Sequence, residues 1–200
     1  MGKIVWCSIA WLLAACSHAG HSAPNQWPSE TAVKSVRQQV VQQQVSPNYA
    51  ATVVKISDGD TLHVRDQDGR KHKLRLAYID APELQQAGGQ ESRAALQEML
   101  DGQTVQVVVF GRDRYQRELA QVICGQEDAG LQQIKQGQAW HYVSYARRDQ
   151  NPADFSAYAA AEQQARSSRL GVWHKRDALA PWVFRQQQRQ QQNGVSESVE

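Results

Sequence analysis

Residues 51–123 alternate between apolar and polar positions in short stretches that predict β-strands. Alternation suits a strand because successive side chains point to opposite faces of the sheet. In the third stretch, Leu74, Leu76 and Tyr78 would share one face. The sequence Asp-Gln-Asp-Gly at residues 66–69 predicts a hairpin turn before it. The strands predicted before the first helix cover residues 51–56, 61–65 and 71–79, and continuous apolar runs at residues 105–110 and 119–123 predict two more, which makes five.

Three other stretches predict helices. The first two cover residues 90–100 and 129–136. The third begins at Asn151 and Pro152, which suit a helix start, and ends before Gly171. A helix between the third and fourth of five strands is the order of an OB-fold barrel. We therefore predict an α+β fold, a five-stranded OB-fold barrel with three helices, at residues 49–184.

The first sixteen residues predict an export signal rather than part of the fold. Lys3 precedes an apolar run over residues 4–15 that is too short for a stable membrane span. The run ends in Leu-Ala-Ala followed by Cys16, which resembles a bacterial lipobox, so Cys16 is the predicted lipidation site. The alternative is a signal peptide cut after Ala19, which would give a periplasmic or secreted protein. The lipobox favours an envelope lipoprotein, held at the outer membrane by its lipid anchor.

Two polar segments flank the predicted domain. Residues 17–48 are rich in proline and glutamine and predict a tether. Residues 185–200 are glutamine-rich and lack aromatic side chains, which is typical of disorder. Cys124 is the only cysteine between these segments, so no disulfide within the domain is available and packing must supply its stability. We expect a monomer.

The charge balance limits the classes of function. The whole chain has a formal net charge of only +2, and residues 49–184 carry equal numbers of basic and acidic side chains. A protein that coats nucleic acid irrespective of sequence would show a strongly basic domain. A phosphodiesterase remains compatible, because an acidic metal site cancels part of a basic substrate groove.

Several charged residues lie where the first predicted strands end. They are Asp58, Asp60, Arg75, Asp80 and Glu83. A hydrophobic core has no use for such a set, because each unpaired buried charge costs several kcal/mol. Carboxylates beside an arginine suit a site that holds a divalent cation next to a phosphate. Taken alone, the Asp-Gly-Asp sequence would also suit an ordinary turn.

Five segments in order resemble the staphylococcal-nuclease (thermonuclease) family over roughly residues 50–173. They are Ile-Ser-Asp-Gly-Asp-Thr at 56–61, Arg-Leu-Ala-Tyr-Ile-Asp-Ala-Pro-Glu at 75–83, Asp-Arg-Tyr-Gln-Arg at 113–117, Gly-Gln-Ala-Trp at 137–140 and Leu-Gly-Val-Trp at 170–173. The resemblance implies a Ca²⁺-dependent endonuclease that acts on DNA and RNA with little sequence specificity and leaves 3′-phosphate ends. We expect single strands to be the preferred substrate, because a barrel groove reaches a splayed backbone more easily than a duplex.

The resemblance also implies a metal site in this chain. Asp60 and Asp80 would bind Ca²⁺ through their carboxylates, with the Ala81 carbonyl as a third protein oxygen. Carboxylates and a carbonyl are the hard oxygen donors that Ca²⁺ prefers. Asp58 would lie beside the side chains that bind the metal and support them without binding it directly.

The remaining implied roles concern the phosphate and the attacking water. Arg75 and Arg117 would hold the scissile phosphate, Glu83 would activate the water, and Tyr115 would help to bind the substrate. Arg117 alone would also suit a surface cation paired with a neighbouring carboxylate. A further tyrosine of the site falls at Tyr142 or Tyr145, and the sequence leaves both open.

One alternative function uses the same fold without catalysis. An OB-fold barrel also serves as a catalytically silent module that binds nucleic acid or protein, here at the cell envelope, and a fold alone does not decide between such functions. The acidic and arginine set favours the nuclease, because a binding module does not require it.

Overall fold

The computed structural model describes residues 48–196. The predicted signal peptide, the lipidation site Cys16 and most of the predicted tether lie outside these residues, as does the end of the chain after Ser196. Among the helices of the described part, none combines the length and the apolar character needed to cross a bilayer.

Five long strands form a closed barrel, which confirms the predicted fold class. The strands of the described residues are β1 Asn48–Ile56, β2 Thr61–Asp66, β3 Lys71–Leu76, β4 Ile79–Asp80, β5 Thr104–Arg112, β6 Glu118–Cys124, β7 Glu127–Asp128 and β8 Trp140–His141. Strand β1 pairs antiparallel with β2 and β5, β2 pairs with β3, and β5 pairs with β6. A parallel pairing of β3 with β6 closes the barrel.

Five α-helices and a 3₁₀-helix at Gly171–His174 accompany the barrel in the described residues. The helices are α1 Gly89–Leu100, α2 Ala129–Lys135, α3 Val143–Asp149, α4 Pro152–Ser167 and α5 Pro181–Ser196. The three predicted helices correspond to α1, α2 and α4, and α1 lies between the third and fourth long strands as predicted. The predicted number of three is wrong, because the sequence analysis missed α3 and α5. Helix α3 buries only Ala146, so it lacks the apolar stripe by which a helix is predicted.

The barrel interior is filled by aliphatic side chains from every long strand. Leu62, Leu74 and Val107 are fully buried there, and Leu96 of α1 and Ile134 of α2 join the same cluster. Full burial of one such side chain contributes about 1.5–3 kcal/mol. The barrel is therefore a packed core, and the functional groups must lie at its ends.

The third strand ends earlier than predicted. It stops at Leu76, because Tyr78 has a positive φ of 65° and turns the chain. The side chain of Tyr78 packs against Phe110 instead of continuing the Leu74–Leu76 face, with ring centroids 5.3 Å apart. The turn starts strand β4, in which Asp80 pairs with Trp140 of β8. The consequence is that Asp80 becomes fully buried directly beside the barrel end.

The predicted disorder after residue 184 is wrong for the part of the tail that the structure describes. Helix α5 begins at Pro181 and continues to Ser196. Its first turn is anchored, because Pro181 is buried and Trp182 stacks on Tyr142 with centroids 5.3 Å apart and planes 9° apart. Glutamine is a good helix former, so a polar segment can continue a helix once its start is fixed.

A cluster of charged and polar side chains surrounds Glu118 at the start of strand β6. The buried carboxylate of Glu118 accepts hydrogen bonds from Tyr49 Oη at 2.6 Å and from Arg112 at 2.9 Å. His72 lies between Glu118, at 3.3 Å from Nδ1, and Asp66, at 3.0 Å from Nε2. Burial lowers the pKa of His72, but the bonds to the two carboxylates outweigh it and raise the pKa above the ordinary 6.5.

This cluster predicts a pH-dependent contribution to stability. A raised pKa in the folded state means that the contribution of His72 is present below pH 6.5 and is lost as the pH rises through the folded-state value. We expect His72→Gln to lower the free energy of unfolding by about 1 kcal/mol at pH 5.5, the net contribution of one typical hydrogen bond, and by less at pH 8. Urea denaturation at both pH values measures this, with the exposed His174→Gln as control. An equal loss at both pH values would contradict it.

Candidate active site

The loop between β1 and β2 carries Asp60 into the end of the barrel. The backbone N–H of Asp60 donates to Asp58 Oδ1 at 3.0 Å, which shapes the loop. The Asp60 carboxylate accepts bonds from Thr61 Oγ1 and from the backbone N–H of Ala81, both at 3.0 Å. Only 6% of Asp60 is exposed. The Asp60 carboxylate therefore links the β1–β2 loop to the backbone of Ala81, the residue after β4.

Gly59 allows the two helices to approach this loop closely. A Cβ at residue 59 would collide with Ser92 Oγ of α1 and lie 2.8 Å from the Ala81 side chain. From α2, the amide Nε2 of Gln133 donates to the carbonyl oxygens of Gly59 at 2.7 Å and Ser92 at 3.0 Å. Side chains of α1 and α2 thus pack directly against the loop. Only a residue without a side chain fits at position 59.

Arg75 joins the two buried carboxylates. It projects from β3 and forms ion pairs with Asp60 and, at 2.9 Å, with Asp80 Oδ1. The pKa of Arg75 is raised, since the two carboxylates outweigh the effect of burial. Burial also tends to raise the pKa of Asp60, but Arg75 outweighs it and holds that pKa below its usual range. Arg75 is consequently a fixed cation between Asp60 and Asp80.

A second guanidinium reaches the cluster from α5. Arg185 Nη2 lies 2.7 Å from Asp80 Oδ2, and its Nη1 lies 3.1 Å from Asp80 Oδ1 and 2.9 Å from Glu83 Oε1. The sequence analysis missed this residue, because it placed Arg185 at the start of a disordered tail. The signal in the sequence was Pro181 followed by Trp182, which is a helix start with an apolar anchor one turn before the arginine.

Glu83 is more accessible than the buried carboxylates Asp60 and Asp80. Its side chain is 37% exposed, whereas that of Asp80 is 1% exposed. The turn after Pro82 is fixed by the backbone N–H of Gln86, which donates to the Glu83 carbonyl at 2.8 Å. Gln86 Nε2 in turn donates to the Leu179 carbonyl at 2.6 Å, just before α5. Glu83 therefore faces solvent on a fixed turn beside the buried pair.

The cluster holds more negative than positive charge. Asp60, Asp80 and Glu83 contact the guanidinium groups of Arg75 and Arg185, and Asp58 lies beside Asp60, so the cluster holds four carboxylates and two cations. The excess of negative charge affects Asp58, because burial and the charge of Asp60 raise the pKa of its carboxyl to about 6. Burial likewise raises the pKa of Asp80, although Arg185 and Arg75 oppose it. A further cation would relieve this imbalance.

Arg117 lies at the edge of the same site. Its Nε donates to Asp113 Oδ2 at 2.7 Å, as in the surface pair that the sequence also allowed. Its Nη1 additionally donates to Thr61 Oγ1 at 3.3 Å, and that hydroxyl donates to Asp60. Arg117 is thus linked to the buried carboxylates through one hydroxyl group, with its guanidinium next to the barrel end.

Aromatic side chains border the site on two sides. Tyr115 is 64% exposed, and its ring centroid lies 4.8 Å from the guanidinium carbon of Arg114 and 5.5 Å from that of Arg117. Of the two tyrosines that the sequence left open, Tyr142 stacks on Trp182 of α5, whereas Tyr145 is exposed. Tyr142 is therefore the one in contact with the helix that reaches the carboxylates.

The donor set suits Ca²⁺ in its chemistry. Asp60 and Asp80 offer carboxylate oxygens, which Ca²⁺ prefers, and the unbalanced negative charge gives a cation something to neutralise. The Arg185 guanidinium between Asp80 and Glu83 marks where positive charge is needed. Within residues 48–196, no three His, Cys, Asp or Glu side chains converge on a common metal position, because arginines bind these carboxylates instead.

The comparison with protein-family models covers the part of the site that carries Arg75, Asp80, Glu83 and Arg117. The family model of staphylococcal nuclease homologues matches residues 73–175. A Haemophilus influenzae protein described as an uncharacterized endonuclease is 38% identical over 137 residues, which is 68% of this chain and 73% of that protein. A protein of Escherichia coli O157:H7 with the same description is 35% identical over 136 residues, covering 66% of this chain and 82% of that protein.

A plant relative shows the same similarity within a longer protein. A probable staphylococcal-like nuclease of Oryza sativa subsp. japonica is 31% identical over 137 residues, which is 68% of this chain. The match covers 34% of the rice protein, so this chain spans about a third of that relative.

The close approach at Gly59 predicts a stability effect. We expect Gly59→Ala to lower the free energy of unfolding by about 1–3 kcal/mol, the usual cost of overpacking a filled site, because its Cβ collides with Ser92. The control is Gly111→Ala on β5, where an added Cβ meets no atom within 4 Å. Denaturant unfolding of both variants measures the difference. Equal stability of the two variants would refute the close packing at Gly59.

Proposed function

The chain belongs to the family of staphylococcal nuclease homologues, and we propose that it is a calcium-dependent endonuclease of DNA and RNA. The observation that carries this proposal is the pair of buried carboxylates, Asp60 and Asp80, bridged by Arg75 at an open barrel end. A buried arginine between two carboxylates, with surplus negative charge around it, serves no packing purpose. It suits a site that holds a cation and a phosphate together.

Asp60, Asp80 and the Ala81 carbonyl would hold the metal in this proposal. Ca²⁺ bound there would supply positive charge beside the phosphate. Asp58 supports Asp60, since it accepts the backbone N–H of that residue. All other contributions come from side chains of the chain itself.

Arg75 and Arg117 bind and orient the phosphodiester. A planar guanidinium donates two parallel hydrogen bonds to two phosphate oxygens, which a lysine does not reproduce. Arg75 is held in place by its buried carboxylates, and Arg117 by Asp113, so neither needs to be ordered when substrate binds. Donors that are already oriented stabilise developing charge without a cost of reorganisation.

Glu83 accepts a proton from the attacking water. The water oxygen forms a bond to phosphorus, the bond from phosphorus to the 5′ oxygen breaks, and the leaving oxygen takes up a proton from solvent water. The products then carry a 3′-phosphate and a 5′-hydroxyl. The exposure of the Glu83 carboxylate supports this role, because water reaches it while Asp60 and Asp80 stay buried.

Tyr115 and its neighbouring arginines provide a substrate surface beside the site. An exposed ring flanked by Arg114 and Arg117 suits a flexible strand, whose phosphates and bases are both accessible. We therefore propose single-stranded nucleic acid as the preferred substrate. We also propose that the active form is a monomer. We also propose export to the cell envelope with a lipid anchor at Cys16.

The role of Glu83 predicts a large effect of one substitution. We expect Glu83→Gln to fold normally and to lower turnover by a factor of about 10² or more, the scale of a lost general base. The measurement is the release of acid-soluble nucleotides from heat-denatured DNA in calcium, compared with EGTA. Glu98→Gln is the control, because Glu98 is exposed on α1 and the charge change is the same. Near-normal turnover of Glu83→Gln would remove Glu83 from the mechanism.

The metal role of Asp60 predicts a change in calcium dependence. We expect Asp60→Asn to raise the calcium concentration for half-maximal turnover by about tenfold or more, since a neutral amide is a weaker donor than a carboxylate. Circular dichroism first checks the fold, and Asp68→Asn in the exposed β2–β3 turn is the control. An unchanged calcium titration would dismiss Asp60 as a ligand. A folded wild-type protein that binds single-stranded DNA in EGTA and never cleaves it would instead be a binding module.

A further inference from the structure

Arg185 makes its contacts at the side chains that the metal and the water reaction require. It bonds both carboxylate oxygens of Asp80, at 2.7 and 3.1 Å, and one oxygen of Glu83 at 2.9 Å. Arg75 also donates to Asp80 Oδ1, so both oxygens of this buried side chain are engaged by guanidinium groups. With Arg185 in this position, Asp80 has no oxygen left without a cationic partner.

Arg75 bonds Asp80 Oδ1, whereas Arg185 Nη2 occupies Oδ2, so a divalent metal ion would compete with Arg185 for that second oxygen. Two cations a few ångströms apart repel each other, and the repulsion is strong where water is excluded. Glu83 is affected in the same way, because the carboxylate that would take a proton from water already accepts a hydrogen bond from Arg185. Binding of the metal therefore favours departure of Arg185, and the bound Arg185 opposes binding of the metal.

The helix that carries Arg185 is held mainly through its first turn. Trp182 lies three residues before Arg185, on the same side of α5, and stacks on Tyr142. The Leu179 carbonyl just before the helix accepts the hydrogen bond of Gln86. The following residues Gln186, Gln187 and Arg189 are exposed. Helix α5 also lies beyond residues 73–175, the part that the family model matches. Trp182 also packs against the buried cluster of Trp140, Ala165 and Trp173, so the release of Arg185 requires this first turn to give up those contacts. The barrel core cluster itself includes none of the described side chains of α5.

We propose that α5 is an autoinhibitory latch in which Arg185 occupies Asp80 and Glu83 in the metal-free protein and is released when calcium binds. This inference rests on the proposed calcium site. The latch pairs Asp80 and Glu83 with a guanidinium when no metal is present, and it engages one oxygen of Glu83. Tyr142, which Trp182 covers, is uncovered in the same movement.

Calcium affinity measures the latch without any nuclease assay. A competing state lowers the apparent affinity by the fraction of protein that is competent to bind, so a latch closed about nine-tenths of the time weakens binding about tenfold. We expect Arg185→Gln, which matches the other glutamines of α5, to bind calcium about five- to tenfold more tightly in isothermal titration calorimetry. The control is Arg189→Gln, which removes the same charge one turn further along α5 and should bind like the wild type.

Arg185→Gln also removes a positive charge near the site, so a second variant and a second measurement test the latch without that change. Trp182→Ala removes the stacking on Tyr142 and leaves every charge in place, so it should also tighten calcium binding. In the wild-type protein, calcium should accelerate hydrogen exchange of the amides of α5, measured by mass spectrometry. Unchanged or weaker calcium binding in Arg185→Gln, or calcium binding that leaves the exchange of α5 unchanged, would overturn the latch. If neither the wild type nor Arg185→Gln binds calcium, the proposed metal site itself is wrong and the latch fails with it.

Discussion

The burial of Asp60 and Asp80 at one end of the barrel is the constraint on which the rest of the site depends. Two carboxylates removed from water need cations close by, because an unpaired buried charge costs several kcal/mol. Arg75 supplies one cation from β3, and Arg185 supplies the second from α5. The further carboxylates Asp58 and Glu83 leave the cluster with surplus negative charge. The proposed metal, the held arginines and the latch are three consequences of the same imbalance.

The fold brings these groups together through two departures from regular structure. The left-handed conformation of Tyr78 ends β3 and turns Asp80 into the barrel end, next to Arg75. Gly59 lets Ser92 and Gln133 pack behind the Asp58–Asp60 loop, which fixes the backbone that carries Asp60. Neither feature is needed to fill the core. Both place a carboxylate within reach of a guanidinium, so local strain and close packing serve the site rather than the barrel.

The sequence predicted the barrel and the central charged residues, because strand alternation and motif spacing are local properties. Arg75, Asp60 and Asp80 lie together as the spacing of their segments implied. The end of β3 was not predictable from alternation, since a single left-handed residue breaks a pattern that continues in the sequence through Tyr78. Helix α5 and Arg185 were missed for a different reason. A glutamine-rich segment has no apolar period, and its order comes from the tertiary contacts of its first turn.

The most direct measurement of this account is a crystal structure of the protein grown with calcium, with the anomalous signal used to locate the ion. The account predicts a calcium ion bound by Asp60, Asp80 and the Ala81 carbonyl, with the Arg185 guanidinium displaced from Asp80 and Glu83. A structure at saturating calcium that shows no ion at these carboxylates, with Arg185 still bonded to both oxygens of Asp80, would contradict it. The cluster would then be a closed network of ion pairs, and the nuclease proposal would lose its metal.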